Sequence, residues 1–239
     1  MKLAGFLDAL RLARRATYNN DGLLTVHNAD FVSEPRFTAA YEAGANTGSW
    51  GGMSVRWRMH VICWAASLGL QREGDFVECG VSRGGSAMTI LSYTRLSQTN
   101  RKLYLLDTFH GPEPKYLSDS ERKSLKPSPQ FEECLSEVRR TFAPYDSTVR
   151  IIPGAVPDTL DQVGARQIAF LSVDMNNTVP EIAAAEYFWP KLSSGAPVVL
   201  DDYGWSEHFE QKLAFDAFAV RHGIPILSLP TGQALLIKP

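Results

Sequence analysis

Cysteine is scarce in this chain of 239 residues: Cys63, Cys79 and Cys134 are the whole supply. Their count is odd and none stands in a C-x-x-C spacing. Neither a disulfide framework nor a zinc site is expected, and a reducing compartment, the cytoplasm, is. An excess of one charge is missing too. Twenty-four basic and 26 acidic residues leave a net charge of -2, so there is no broad basic surface and nucleic acid is not the expected partner. Arg11, Arg14 and Arg15 cluster near the start, but a few charges on one helix read as a solvated face. No apolar run reaches the roughly 18 residues of a transmembrane segment. The opening Met1–Arg11 is too short and too interrupted by charge for a signal peptide. Leu3, Phe6, Leu7 and Leu10 instead share one face of a short amphipathic helix, packed on its own domain. Internal repeats and low-complexity segments are absent.

What is present suits one α/β domain with a helical extension, since 44% of the residues are hydrophobic. Residues 1–60 show no strand alternation. Helices are expected over Asp8–Ala16 and Pro35–Ala43, then a glycine-rich loop over Ala45–Met53. Ser54 is placed to cap a helix from Arg56, in which Trp57, His60, Val61, Trp64 and Ala65 form a core-facing stripe. Trp50, Arg56 and Arg58 are candidates for a lid over a site.

From Asp75 strands and helices alternate. Strands are predicted at Phe76–Cys79, Leu103–Leu106, Val149–Ile152, Ile168–Val173 and Pro197–Leu200. The helices between and after them are Ala87–Ser97, Gln130–Phe142, Pro157–Val163, Pro180–Leu192 and Ser206–Arg221. The last of these carries Phe209, Leu213, Ala217 and Val220 as one apolar stripe and stops at Gly223. Lys115–Pro129 is a polar surface excursion. Ile224–Leu229 and Gln233–Ile237 form a hairpin across Pro230–Gly232. Five β–α units and this hairpin predict an α/β fold: a doubly wound, mostly parallel seven-stranded sheet with an antiparallel C-terminal hairpin strand. The helical extension covers 1–70 and the ligand-binding domain 71–239.

The chain is organised around Gly74–Ser86. A short apolar strand ends in Glu78, Gly80, Gly84 and Gly85 punctuate a turn, and Ser86 opens a helix. Glycines serve where backbone turns tightly or a ligand lies against it, and the helix N-terminus behind the turn offers free N–H groups. The run acid-x-Gly-x-x-x-Gly-Gly lacks the glycine spacing of the dinucleotide fingerprint. It resembles the first motif of the Rossmann-like S-adenosylmethionine (SAM) methyltransferases. A Tyr187-x-x-x-Lys191 pair of the dehydrogenase kind also occurs. Pro190 interrupts it at the end of a helix, and it reads as a chance match.

Acids end four strands: Glu78, Asp107, Asp174 and the pair Asp201-Asp202. In an open α/β sheet, ligands bind beyond these ends. Asp107 is placed either to accept the ribose hydroxyls of an adenosyl ligand or to cap its own turn. Asp174, Asp201 and Asp202 converge if their strands are neighbours. Three carboxylates in a small volume call for protonation, solvent or a cation, and hard oxygen donors suit Mg²⁺, Mn²⁺ or Ca²⁺. The alternative is that Asp201 and Asp202 cap the following helix.

Phe76–Ser86, Leu105–Gly111, Phe188–Gly195 and Val199–Gly204 together resemble the macrocin O-methyltransferase (TylF-type) family, over about residues 70–205. The resemblance implies a Mg²⁺-dependent SAM O-methyltransferase that acts on a hydroxyl of a sugar, a glycosylated natural product or a polysaccharide. It implies that Glu78, Gly80, Ser82, Gly84, Gly85, Ser86, Asp107, Thr108 and Asp174 hold SAM, and that Asp174, Asp201 and Asp202 hold the metal. One departure stands out. Family members often have Asp-x-Asp after the fourth strand, where this chain has Asp174-Met175-Asn176. An amide cannot take the acceptor's proton, so either another base serves, with His110 and His208 as the candidates, or metal coordination acidifies the hydroxyl enough for water to take the proton. A metal-independent methyltransferase and a non-catalytic SAM- or nucleotide-binding module are the alternatives. A homo-oligomer is compatible with the aromatic-rich N-terminal region.

Overall fold

The computed structural model describes residues 13–124 and 131–239. The amphipathic face of Leu3, Phe6, Leu7 and Leu10, most of the Asp8–Ala16 helix and the end of the Lys115–Pro129 excursion lie outside them. After a hairpin, β1 (Tyr18–Asn20) and β2 (Leu23–Thr25), come helices α1 (Pro35–Ala45) and α2 (Arg56–Gly69). The alternating part follows as β3 (Asp75–Cys79), α3 (Gly85–Thr94), β4 (Leu103–Asp107), α4 (Asp119–Ser124), α5 (Leu135–Phe142), β5 (Val149–Pro153) and β6 (Ile168–Val173). It closes with α6 (Thr178–Phe188), β7 (Pro197–Leu200), α7 (Phe209–His222), β8 (Leu227–Ser228) and β9 (Ala234–Ile237).

The seven-stranded sheet has the order β5-β4-β3-β6-β7-β9-β8. All neighbours are parallel except those of β9, which runs antiparallel to both β7 and β8. The expected doubly wound sheet with its terminal hairpin is therefore present. Every residue of β6 is buried, as a central strand covered on both faces requires. Alternate strand residues feed two apolar clusters. Phe76, Leu103, Leu105 and Phe170 pack with α1, α2 and α3 on one face. Val77, Leu106, Leu171 and Val198 pack with α6 and α7 on the other. The chain order reverses direction between β3 and β6, which opens a crevice at their carboxyl ends.

Several local expectations change. Residues 18–25 form a hairpin around Asp21-Gly22, both at positive φ (54° and 71°). Asp-Gly is the pair that such a two-residue turn favours. Pro157–Val163 makes only a 3-10 turn at Leu160–Gln162. Of the expected α2 stripe, Val61 and Ala65 are buried, together with Met59, Ile62, Cys63 and Ala66, but Trp64 faces outward and is 51% exposed. His60 packs in the interior margin, stacked on Phe31 at 4.0 Å. The α7 stripe is reversed: Gln211, Phe215, Phe218 and Ala219 face the core, and Phe209, Leu213 and Val220 are exposed, Val220 by 82%. Both stripes have helical spacing, so periodicity alone does not choose between them. No helix among the described residues is long and apolar enough to cross a membrane.

Candidate active site

A cavity of about 250 Å³ opens at the carboxyl ends of β3, β4, β6 and β7. Glu78, Gly80, Ser82, Gly85, Ser86, Asp107, Thr108, Asp174, Asp201 and Asp202 all line it, so the sheet brings the expected residues together. Gly84 stands just behind, as the left-handed residue before α3 (φ 89°), with the Phe142 ring where its side chain would go.

The turn after β3 is braced by β4. Asp107 Oδ2 accepts the N–H groups of Val81 (2.6 Å) and Ser82 (2.8 Å), and its Oδ1 accepts that of Phe109 (2.7 Å). The cap role foreseen for Asp107 is therefore realised, on the glycine turn as well as its own. Thr108 donates its hydroxyl to the carbonyl of Gly111 (2.5 Å). The start of α3 is not open as expected. The Gly85 N–H donates to Ser49 Oγ (2.8 Å), and the Trp50 ring lies where a Gly85 side chain would stand. The loop before α2 thus forms part of the cavity wall. Glu78 is 2% exposed, and one of its oxygens has no partner. Burial, with the Asp107 and Asp201 charges behind it, pushes its pKa well above the ordinary carboxylate range.

Asp174 follows β6, and Asp201 and Asp202 follow β7. One carboxylate oxygen from each lies within 4.8 Å of the others. Neither Asp201 nor Asp202 caps α7, whose start has no side-chain cap. Burial, then Asp201 and Asp202, raises the Asp174 pKa. Burial, then Asp201, raises that of Asp202 to about 6. Asp202 Oδ2 is buried without a hydrogen-bond partner. Oxygen-only donors, mutual repulsion and an orphaned oxygen fit a hard divalent cation. Asn176 takes a role an aspartate could not: its Nδ2 donates to Asp174 Oδ1 at 3.3 Å. An acid there would add a fourth negative charge.

Of the two histidines, His110 lines the cavity on its exposed rim, and His208 stands outside it, near enough for its charge to lower the Asp202 pKa. Besides Ser49, both Glu181 and Asp21 escaped the sequence reading. Glu181, buried in the first turn of α6, accepts the N–H groups of Met175 (3.0 Å) and Asn176 (3.1 Å) and fixes the loop that carries Asp174. Its place in a first helical turn was its only mark. Asp21 binds Arg58, which reaches Asp201; its mark was the Asp-Gly pair.

The family model described as macrocin-O-methyltransferase (TylF) matches residues 52–227. The chain belongs to the TylF family. Two curated relatives are the 8-demethyl-8-(2,3-dimethoxy-alpha-L-rhamnosyl)-tetracenomycin-C 4'-O-methyltransferase of Streptomyces olivaceus and the demethyldecarbamoylnovobiocin O-methyltransferase of Streptomyces niveus. The first is 33% identical over 138 residues, 54% of this chain and 53% of that protein. The second is 30% identical over 149 residues, 59% and 57%. The chain spans about half the length of the curated relatives it matches. Among solved structures, the O-methyltransferase NovP shares the fold with a TM-score of 0.64 at 23% identity, over 76% of this chain and 79% of that one. CalS11, a calicheamicin methyltransferase, does so with a TM-score of 0.63 at 17% identity, over 89% and 94%. The TylF match spans every cavity carboxylate described above, and Asp21 lies before it.

Proposed function

We propose that this TylF-family chain is a SAM-dependent O-methyltransferase, assisted by Mg²⁺ or a similar divalent cation, acting on a hydroxyl of a sugar or glycosylated small molecule or of a polysaccharide. The observation that carries the reading is the shared cavity: the glycine turn and the acid trio open into the same space. The names of the curated relatives, both O-methyltransferases and one of them acting on a rhamnosyl compound, support the acceptor class. SAM supplies an electrophilic methyl group on a sulfonium, and a divalent cation supplies Lewis acidity that lowers the acceptor hydroxyl's pKa.

The chain's own residues bind and align. The turn from Glu78 to Ser86, braced by Asp107, shapes the SAM end, with Thr108 beside it. Asp174, Asp201 and Asp202 would hold the cation at the other end of the cavity, where it would supply Lewis acidity to an acceptor hydroxyl. Trp50 and Ser49 close the wall and exclude water, which favours in-line alignment. His110, on the rim, is the better placed of the two histidines to receive the acceptor's proton. The three unpaired thiols fit a cytoplasmic enzyme. The exposed α7 stripe is the favoured surface for a homo-oligomer. In a two-fold dimer the exposed Phe209, Leu213 and Val220 would meet their own copies. Val220→Glu then yields a smaller particle in light scattering.

The deciding experiment is calorimetric titration with SAM and with NAD⁺, each with Mg²⁺ and with EDTA, followed by methyl transfer to a panel of glycosides. SAM binding without NAD⁺ binding, and transfer lost in EDTA and restored by Mg²⁺, is the expected result. A folded protein that ignores SAM would sink the proposal.

A further inference from the structure

Arg58 is buried beside the acid trio, yet most of its hydrogen bonding points away from it. Nε and Nη2 donate to Oδ2 and Oδ1 of Asp21, both at 2.8 Å, a two-point grip. Only Nη1 reaches the trio, donating to Asp201 Oδ2 at 2.7 Å. The other oxygen of Asp201 accepts Gln233 Nε2 at 2.8 Å. The side chains of Arg58, Asp21 and Asp201 are 12%, 6% and 11% exposed, so this is an interior ion network. Burial opposes the guanidinium charge, but Asp21 and Asp201 outweigh it and raise the Arg58 pKa. Asp21 itself lies outside the cavity wall, in the β1–β2 turn.

We propose that Asp21 is a positioning residue that sets the charge of the cation site. It holds Arg58 at the edge of the trio, so that only Nη1 touches Asp201, and its negative charge offsets the guanidinium, which leaves the three carboxylates with a net attraction for a divalent cation. The inference rests on the reading of the trio as a cation site. The β1–β2 hairpin then acts on the cation site through Arg58, from outside the cavity wall. With Asp21 and Arg58 cancelling, the cluster carries the formal charge of its three aspartates. Without Asp21 the guanidinium charge falls on the trio; without Arg58 a fourth negative charge adds to it. The two ends of one ion pair thus act on cation affinity with opposite signs, which a merely structural pair would not do.

The test is Mn²⁺ binding to the full chain at pH 8, followed by electron paramagnetic resonance, for wild type, Asp21→Asn, Arg58→Met and the double variant. Asparagine tolerates the positive φ at position 21, so the hairpin is retained; melting curves check this. Asp21→Asn is expected to weaken Mn²⁺ roughly tenfold and Arg58→Met to strengthen it by a similar factor, with the double variant returning near wild type. If Arg58→Met does not fold, Asp21→Asn decides alone. Unchanged affinity in folded Asp21→Asn overturns the proposal while leaving the cation site standing. A folded wild type that binds no Mn²⁺ overturns the cation site and the proposal together.

Discussion

Gly80 lies against the backbone of Asp174: a Cβ on Gly80 would stand 1.7 Å from the Asp174 carbonyl oxygen. The residue also has φ 88°, where L side chains are strained. This contact joins the two halves of the site, because the turn after β3 and the first aspartate after β6 cannot approach with a side chain between them. Gly80→Ala is expected to destabilise the fold by roughly 2–4 kcal/mol, by overpacking plus backbone strain. Urea unfolding measures the loss, and a variant as stable as wild type would contradict the geometry.

Asp107 and the turn it braces give a second test. In Asp107→Asn, one oxygen is replaced by an NH₂ group, and the carboxylate charge that attracts the Val81 and Ser82 N–H groups is lost. The cost expected for the disturbed hydrogen bonds is about 1–3 kcal/mol. SAM affinity should fall at least in step, because the turn loosens where the ligand would lie. Melting curves and calorimetry report the two effects separately.

Glu78 gives a pH dependence. Its carboxyl is held well above the ordinary range, first by burial, so the folded state binds its proton more tightly than the unfolded chain. The associated stability is present below the unfolded pKa, about 4.3, and is lost as pH rises through the folded value. Glu78→Gln removes the ionisation. Without ligand, it should melt a few degrees above wild type at pH 8, with the difference shrinking toward pH 4.5. A constant difference across that range would show that Glu78 titrates normally.

The three cysteines, all buried, should be silent. Burial pushes the Cys63 thiol up to about 12 and the Cys134 thiol up to about 11. It raises that of Cys79 also. The thiolate is the reactive form. A disulfide reagent at pH 8 should therefore find almost no thiol in the native protein, and all three after denaturation. Fast labelling of native Cys79, inside the glycine turn, would reveal an opening of that turn.

Most of the sheet was legible in the sequence because its signals are local. Strands β3 to β7 are short apolar runs, four of them (β3, β4, β6 and β7) ending in acids, and Gly80, Gly84 and Gly223 mark changes of backbone direction. The acid trio followed from the same logic: residues at the ends of adjacent parallel strands must converge. Less was legible where two readings share one pattern. Trp64 and the stripe Phe209, Leu213 and Val220 have helical spacing, but so do the faces opposite them, and only packing against the sheet selects which is buried.

The sequence by itself determined the order of β–α units, the glycine turn and the set of acids, because chain direction and side-chain chemistry are local properties. The tertiary structure decided what each group touches. It placed Ser49 on the first N–H of α3, Asn176 on Asp174, and Asp21 on Arg58 beside Asp201. These partners are separated in sequence by anything from 2 to 143 residues. Charge and hydrogen bonding depend on distance through space, and that distance exists only once the chain has folded.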